Sequence, residues 1–388
     1  MNKRNRIIIF TGKGGVGKTS IAAAHAKKSA DQGKKTLLVS TDMAHNLGDI
    51  FEINCGKEIK SVSEYLDIFE IDPEYVCEED YKNLVDCLTN MLPDAMDRTM
   101  ESFGMLPGME ELFSLMKISD LYETGVYENI IVDCAPTGET LSLLKFPELL
   151  SWYMEKLFPI GKTAMKIMAP VSKAVLKVQL PDKKAMSDIE KLYMKLYELQ
   201  ELLKNEEITS VRLVTVPEKM VVMETKRNYM YMNLYHFNVD GLYMNRILPK
   251  DIDNPFFEKW LEIQKEYTKE LENCFTEVPI YRVPWYGQEV RGEEAISRIA
   301  GECLDDKVFE NNNTKQRETF EELEDGYLLN VYVPNASKEE LDVYKAEGDV
   351  IIKINNFKRN IPLPNMLRKY EIVSAKFEDG ILKLKFQL

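Results

Sequence analysis

The chain has 388 residues, enough for two domains and a large core, and its 45% hydrophobic and 29% charged residues suit an ordinary globular protein. A net charge of −14 argues against non-specific nucleic-acid binding, which needs cations to neutralise phosphates. Six scattered cysteines without a CxxC argue against a disulfide frame or a cysteine zinc site; no apolar run approaches the roughly 18 residues of a membrane span, and no signal-peptide pattern opens the chain, so a cytoplasmic address is expected.

The apolar run Ile7-Ile8-Ile9-Phe10 predicts a strand, and the segment from Ser20 to about Lys28 predicts a helix. Between them lies Gly12-Lys13-Gly14-Gly15-Val16-Gly17-Lys18-Thr19, a phosphate-binding loop in its required strand-turn-helix setting. Glycines let the backbone approach a phosphate, and successive N–H groups with the helix N-terminus supply partial positive charge. Lys18 is expected to reach the β- and γ-phosphates of ATP, and the Thr19 hydroxyl to bind Mg²⁺.

Further along, Thr36-Leu37-Leu38-Val39-Ser40 reads as a buried parallel strand ending at Thr41-Asp42. Ligands of open α/β sheets sit at the carboxyl ends of strands, so Asp42 could orient the attacking water or accept its proton; capping the next helix is an equally good use of it. Asn129-Ile130-Ile131-Val132-Asp133 predicts another buried strand, with Asp133 placed for the Mg²⁺ shell. Strands over 211–215 and 241–244 complete the sheet and end near Glu218 and Asn245; the Asn245 amide could read the edge of adenine or simply close a turn.

Helix-rich insertions separate these strands. Leu84, Leu88, Met91, Leu92, Ala95, Met96 and Met100 form one amphipathic stripe, and Met186, Ile189, Leu192, Tyr193, Leu196, Leu199 and Leu203 a second. Nine of the 19 methionines fall between Met91 and Met168, as suits a surface accepting varied apolar partners, though such stripes are commonly core. From Lys156 to Lys177 five lysines alternate with apolar residues and no acid intervenes. That segment could rim an apolar groove, lie on an anionic membrane, or be a solvated face. Polar residues 310–318 read as linker, after which the period becomes two: Tyr327, Leu329, Val331 and Val333 share one face, and Leu382, Leu384, Phe386 and Leu388 another.

Several of these stretches resemble known families. The loop with its extra Lys13 is similar to the deviant phosphate loop of the dimeric arsenite-pump and tail-anchored-protein-targeting ATPases. Residues 40–49, STDMAHNLGD, resemble that family's first switch, with Met43 for its proline, and 133–141, DCAPTGETL, its second, with Cys134 for Thr and Glu139 for His. Leu106-Pro107-Gly108-Met109-Glu110-Glu111 resembles a further motif, and 283–292 the loop over the base. The resemblance implies that Lys13 crosses a dimer interface to the partner's nucleotide, that Asp42 is catalytic, and that Gly12 to Ser20, Glu218, Asn245 and Pro284 hold the nucleotide while Thr19 and Asp133 hold Mg²⁺. Residues 333–341 and 375–384 resemble the α-crystallin domain of small heat-shock proteins.

Together these imply a doubly wound, mostly parallel α/β ATPase over residues 1–308, with helical insertions at about 80–125 and 145–205. A linker at 309–325 and an all-β sandwich at 326–388 follow. The implied function is a homodimeric ATPase that captures apolar protein segments, with a transient membrane or receptor contact and no nucleic acid. An arsenite- or anion-pump subunit and a partition or division-site ATPase are the alternatives. The single cysteine between Ile252 and Cys274 leaves no zinc clasp to expect.

Overall fold

The computed structural model describes residues 5–42, 46–82, 109–134, 188–310, 317–346, 348–364 and 366–388. The first 310 residues build a sheet of eight strands: β1 (Arg6–Thr11), β2 (Thr36–Ser40), β3 (Lys60–Ser63), β4 (Leu66–Glu70), β5 (Asn129–Asp133), β6 (Thr209–Thr215), β7 (Val239–Ile247) and β8 (Ile280–Pro284). Their spatial order is β3-β4-β2-β5-β1-β6-β7-β8, parallel throughout except for β3 against β4. Leu37, Leu38, Val39, Ile130, Ile131 and Val132 are wholly buried, which is why both strands read as continuous apolar runs rather than alternations. The chain leaves β1 toward β2 on one side and passes from β5 to β6 on the other. That reversal opens a crevice at the carboxyl ends of β1, β5 and β6, where such sheets bind ligands.

Among the described residues the α-helices are α1 (Lys18–Asp31), α2 (Asn46–Phe51), α3 (Pro73–Glu79), α4 (Met109–Glu123), α5 (Asp188–Lys204), α6 (Lys219–Leu234), α7 (Pro255–Cys274) and α8 (Gly292–Cys303). On α5 the expected stripe buries Leu196, Leu199 and Leu203. The stripe at 84–100 and the lysine-rich 156–177 segment lie outside the described residues.

A buried polar chain fixes α1 to the sheet. Arg212 on β6 donates to both carboxylate oxygens of Asp240 (3.0 and 3.3 Å), to the Tyr243 hydroxyl (3.2 Å) and to the Val308 carbonyl (2.5 Å). The Tyr243 hydroxyl lies 2.8 Å from His25 Nε2, and His25 Nδ1 lies 2.7 Å from the Ile21 carbonyl. Burial, then the Arg212 charge, pushes the His25 pKa well below the usual imidazole value. Neutral His25 therefore donates from Nδ1 to the carbonyl and accepts from tyrosine at Nε2.

The last residues form two antiparallel sheets. Strands β9 (Glu318–Leu323), β10 (Gly326–Tyr332), β14 (Glu371–Glu378) and β15 (Ile381–Gln387) pair in the order β14-β15-β10-β9, and β11 (Leu341–Ala346), β12 (Asp349–Ile354) and β13 (Phe357–Pro362) in chain order. Leu329 pairs with Leu384 and Val331 with Leu382, so the two period-two faces meet as one buried layer, with Val350, Ile352 and Ile354 also buried; Leu388, expected on that layer, is exposed past the end of β15. Asp379 (φ 50°) and Gly380 (φ 72°) make the two-residue turn between β14 and β15. Strand β9 falls inside the 309–325 stretch expected to be linker. Its sequence, Glu318-Thr319-Phe320-Glu321-Glu322-Leu323, carries no period-two apolar pattern, and β10 holds it through backbone pairing.

This sandwich is seated on the carboxyl end of α6. His236, in the left-handed region, closes that helix in the position glycine usually takes: Phe237 N donates to the Met232 carbonyl (2.8 Å) and His236 N to that of Asn233 (3.1 Å). Around it, buried Arg317 donates to Asn233 (3.1 Å), Asn238 (2.7 Å) and Glu206 (2.6 Å); Tyr231 lies against Phe357, and the Tyr235 hydroxyl donates to the Lys358 carbonyl (2.8 Å). Glu318 takes His236 Nε2 (3.1 Å) and Arg359 (2.6 Å).

Burial alone would raise the Glu318 pKa, but His236 and Arg359 hold it at about 2, while burial and then Arg359 lower that of His236. A depressed base and a depressed acid both contribute stability that is lost as pH falls, here below the ordinary imidazole value of 6.5 for His236 and below 4.5 for Glu318. The thermal midpoint is therefore expected to drop on acidification from pH 7, and less steeply in His236→Gln. Parallel slopes for both proteins in scanning calorimetry between pH 7 and 5 would rule out this junction as the source.

Candidate nucleotide site

The turn after β1 is built for close backbone approach. A Cβ on Gly12 would stand 2.2 Å from the Val214 carbonyl oxygen, so a side chain there would drive β1 away from β6. Gly17 has φ 91°, and its missing Cβ would stand 2.3 Å from Asn245 Nδ2. Both positions need glycine, for contact at the first and for contact and backbone angle at the second. Gly17 is also the N-cap of α1, with no side-chain cap and no acidic residue in the first turn. The helix thus keeps its partial positive charge for an external acceptor.

Two cavities flank this turn. One, of about 540 Å³, is lined by Gly14, Gly15, Gly17, Lys18, Thr19, Ser20, Asp42, Asp49, Arg246 and Arg291 among others. The other, of about 720 Å³, is lined by Gly17, Ser20, Glu218, Asn245, Arg246, Phe257, Trp260, Pro284 and Trp285 among others. They share Gly17, Ser20, Arg246, Glu289 and Val290, so they are a polar and an aromatic end of one cleft. Its shape and chemistry suit a phosphate chain at one end and a base at the other.

Strand pairing brings the acidic residues to the same end. Asp133 pairs with Phe10 on one side and Ser40 on the other, and Thr41 N donates to the Asp133 carbonyl (3.0 Å). Its carboxylate is buried, and neither oxygen has a hydrogen-bond partner. Burial pushes its pKa up to about 7 against the opposing pull of Thr19 and Lys18, with Asp42 adding to the rise. An orphaned carboxylate beside a threonine hydroxyl fits a hard divalent cation, which takes oxygen ligands and keeps several waters. Asp42 is half-buried at the rim, its N–H on the Ser40 hydroxyl (3.2 Å).

The remaining candidates fall where the strands put them. Glu218 is the N-cap of α6 and Pro284 ends β8, both at the base end. Asn245 is buried there too, but its Nδ2 donates to the Val16 carbonyl (2.8 Å), bracing the loop itself. Val16 is buried beneath the loop. Lys13 does not line the cleft; its Nζ lies 3.8 Å from Glu224 on α6. Residues 43–45 and 135–141 of the two switches lie outside the described residues.

Comparison with known proteins decides the family. The profile described as anion-transporting ATPase matches residues 5–305, and one described as an HSP20-like domain found in ArsA matches 324–386. The chain belongs to the anion-transporting ATPase family. It is an ATPase with the HSP20-like domain appended. It is 35% identical to an Aquifex aeolicus protein named for driving an arsenical pump, over 97% of this chain and 99% of that one. A similarly named protein of Chlorobaculum tepidum is 33% identical over 99% of this chain and 96% of its own length. The ATPase get3 of Pyrenophora tritici-repentis is 29% identical over 77% of this chain and 91% of its own. No helix among the described residues of this ATPase is long and apolar enough to cross a membrane.

Residue patterns alone missed Glu224 and the aromatic wall of Phe257 and Trp260. Both lie on helices remote in sequence from the loop, and no motif marks them.

Proposed function

We propose that this ATPase works as a homodimeric chaperone or targeting factor, capturing apolar polypeptide segments under the control of ATP. The observation that carries this reading is helix α6. Its N-cap, Glu218, borders the nucleotide cleft, and its far end is held against the HSP20-like domain through Tyr231 on Phe357 and Tyr235 on the Lys358 carbonyl. One rigid element thus joins the base end of the nucleotide cleft, and through Glu224 the Lys13 of the phosphate loop, to a domain of chaperone type, and a shift at one end moves the other.

In the cleft, backbone N–H groups and Lys18 hold the phosphate chain, Asp42 orients or deprotonates the attacking water, and Glu218, Asn245 and Pro284 border the ribose and base. Thr19 and Asp133 would hold Mg²⁺, which would supply positive charge to offset that developing on the leaving ADP. Lys13 leaves Glu224 for the partner's nucleotide when two copies close. The methionines between Met91 and Met168, Met165 and Met168 among them, are the proposed client contacts.

The names of the arsenical relatives favour a second reading, coupling to an anion pump. Arsenite binds through sulfur, and burial pushes the Cys55 and Cys134 thiols up to about 11 and about 12, away from the thiolate such binding needs. The two readings separate in one experiment. A labelled 20-residue apolar peptide is expected to be crosslinked by the ATP-bound protein and released on hydrolysis, with arsenite leaving turnover unchanged. Arsenite-stimulated turnover without nucleotide-dependent crosslinking would establish the pump reading instead.

A further inference from the structure

We propose that Arg246 is a phosphate-binding residue, closing on the nucleotide where the α-phosphate joins the ribose and so adding affinity common to ATP and ADP. This rests on the nucleotide reading of the cleft and names a contact which no motif assigns.

The first observation is a local break in the sheet. Strand β7 pairs with β8 through Met244 and Arg282 and resumes at Ile247 and Pro284, so Asn245 and Arg246 form an irregularity at the carboxyl end of β7. Such bulges re-aim a side chain and are common beside active sites. Arg246 sits there with φ 55°, a left-handed angle unusual for a non-glycine residue.

Secondly, the bulge is anchored to the phosphate loop. Arg246 N donates to Asn245 Oδ1 (2.8 Å), and the same amide donates from Nδ2 to the Val16 carbonyl (2.8 Å). On the far side Trp285 N donates to the Ile247 carbonyl (2.9 Å). The Arg246 backbone is therefore held between the loop that takes phosphates and the segment that covers the base.

The third observation is charge. Arg246 is exposed and lines both ends of the cleft. Arg291, the other guanidinium at the polar end, is paired with Glu52 (3.0 Å), whereas Arg246 forms no ion pair among the described residues. A planar guanidinium matches phosphate oxygens two at a time. Lys18, Thr19 and Asp42 line the polar end alone, which assigns them the terminal phosphates. A cation at the junction of both ends falls to the phosphate nearest the ribose.

The test uses Arg246→Asn, because asparagine tolerates the left-handed backbone, and Arg246→Lys, which keeps charge but loses the fork. Dissociation constants for ATP and for ADP, each with Mg²⁺, are read by calorimetry in the full chain. Arg246→Asn is expected to weaken both nucleotides by about tenfold, leaving their ratio as in the wild type. Arg246→Lys should recover part of the loss, and the Michaelis constant for ATP should rise by the same factor. Unchanged affinities in Arg246→Asn, or a loss confined to ATP, overturn the proposal. Lys18→Ala is the control for the cleft. If it binds ATP as the wild type does, the nucleotide reading fails; if it does not while Arg246→Asn binds normally, only the Arg246 contact fails.

Discussion

Asp42→Asn is expected to bind ATP and lose hydrolysis by roughly 10²–10⁴-fold, the usual contribution of a positioned base. The substitution keeps the side chain's shape at the rim of the cleft, where Asp42 lines the same cavity as Lys18 and Thr19. It removes the negative charge that helps raise the Asp133 pKa, so binding should not suffer. Single-turnover hydrolysis with ATP affinity measured in parallel separates the two effects. Near-normal turnover would leave Asp42 as a helix cap and nothing more. The same protein also tests the dimer. If Lys13 serves the neighbouring site, mixing Lys13→Ala with Asp42→Asn restores part of the turnover, because one site in the mixed pair has an intact Asp42 and borrows an intact Lys13. Absence of any rescue would confine Lys13 to its own chain, where Glu224 already faces it.

Arg212→Leu should be the most destabilising change considered, at about 3–5 kcal/mol. It strands the fully buried Asp240 carboxylate with only Arg6 at 3.4 Å, removes the donor to the Tyr243 hydroxyl and leaves the Val308 carbonyl unpaired. Because Tyr243 holds His25 on α1, the loss reaches the phosphate loop through its own helix. Adding Asp240→Asn removes the stranded charge and should recover much of the stability. Equal thermal midpoints for the single and double variants would mean that the buried charge was not the main cost.

The β-strands, the loop and the sandwich faces were legible in the chain because each is written in neighbouring residues. Continuous apolar runs at 36–40 and 129–133 can be buried only on both faces, and the period of two at 327–333 and 382–386 puts one face inward, though Leu388, expected on that face, is exposed at the strand's end. The glycine-rich run announced a tight turn, and at Gly12 and Gly17 a Cβ would stand 2.2 Å from the Val214 carbonyl oxygen and 2.3 Å from Asn245 Nδ2. Strand β9 was not legible, since its residues show no apolar period and its backbone is fixed by β10.

What the chain order could not supply was the meeting of distant residues. Arg317 and Asn233 are joined only because the sandwich sits on α6, and Asn245 braces Val16 only because β7 lies two strands from β1. The angle that turns Arg246 into the cleft is likewise a product of the irregular pairing of β7 with β8. Short-range periodicity and steric limits act within a few residues and belong to the sequence. Long-range pairings, buried charges and the backbone angles they impose arise only when the sheet closes, and the tertiary structure alone decided them.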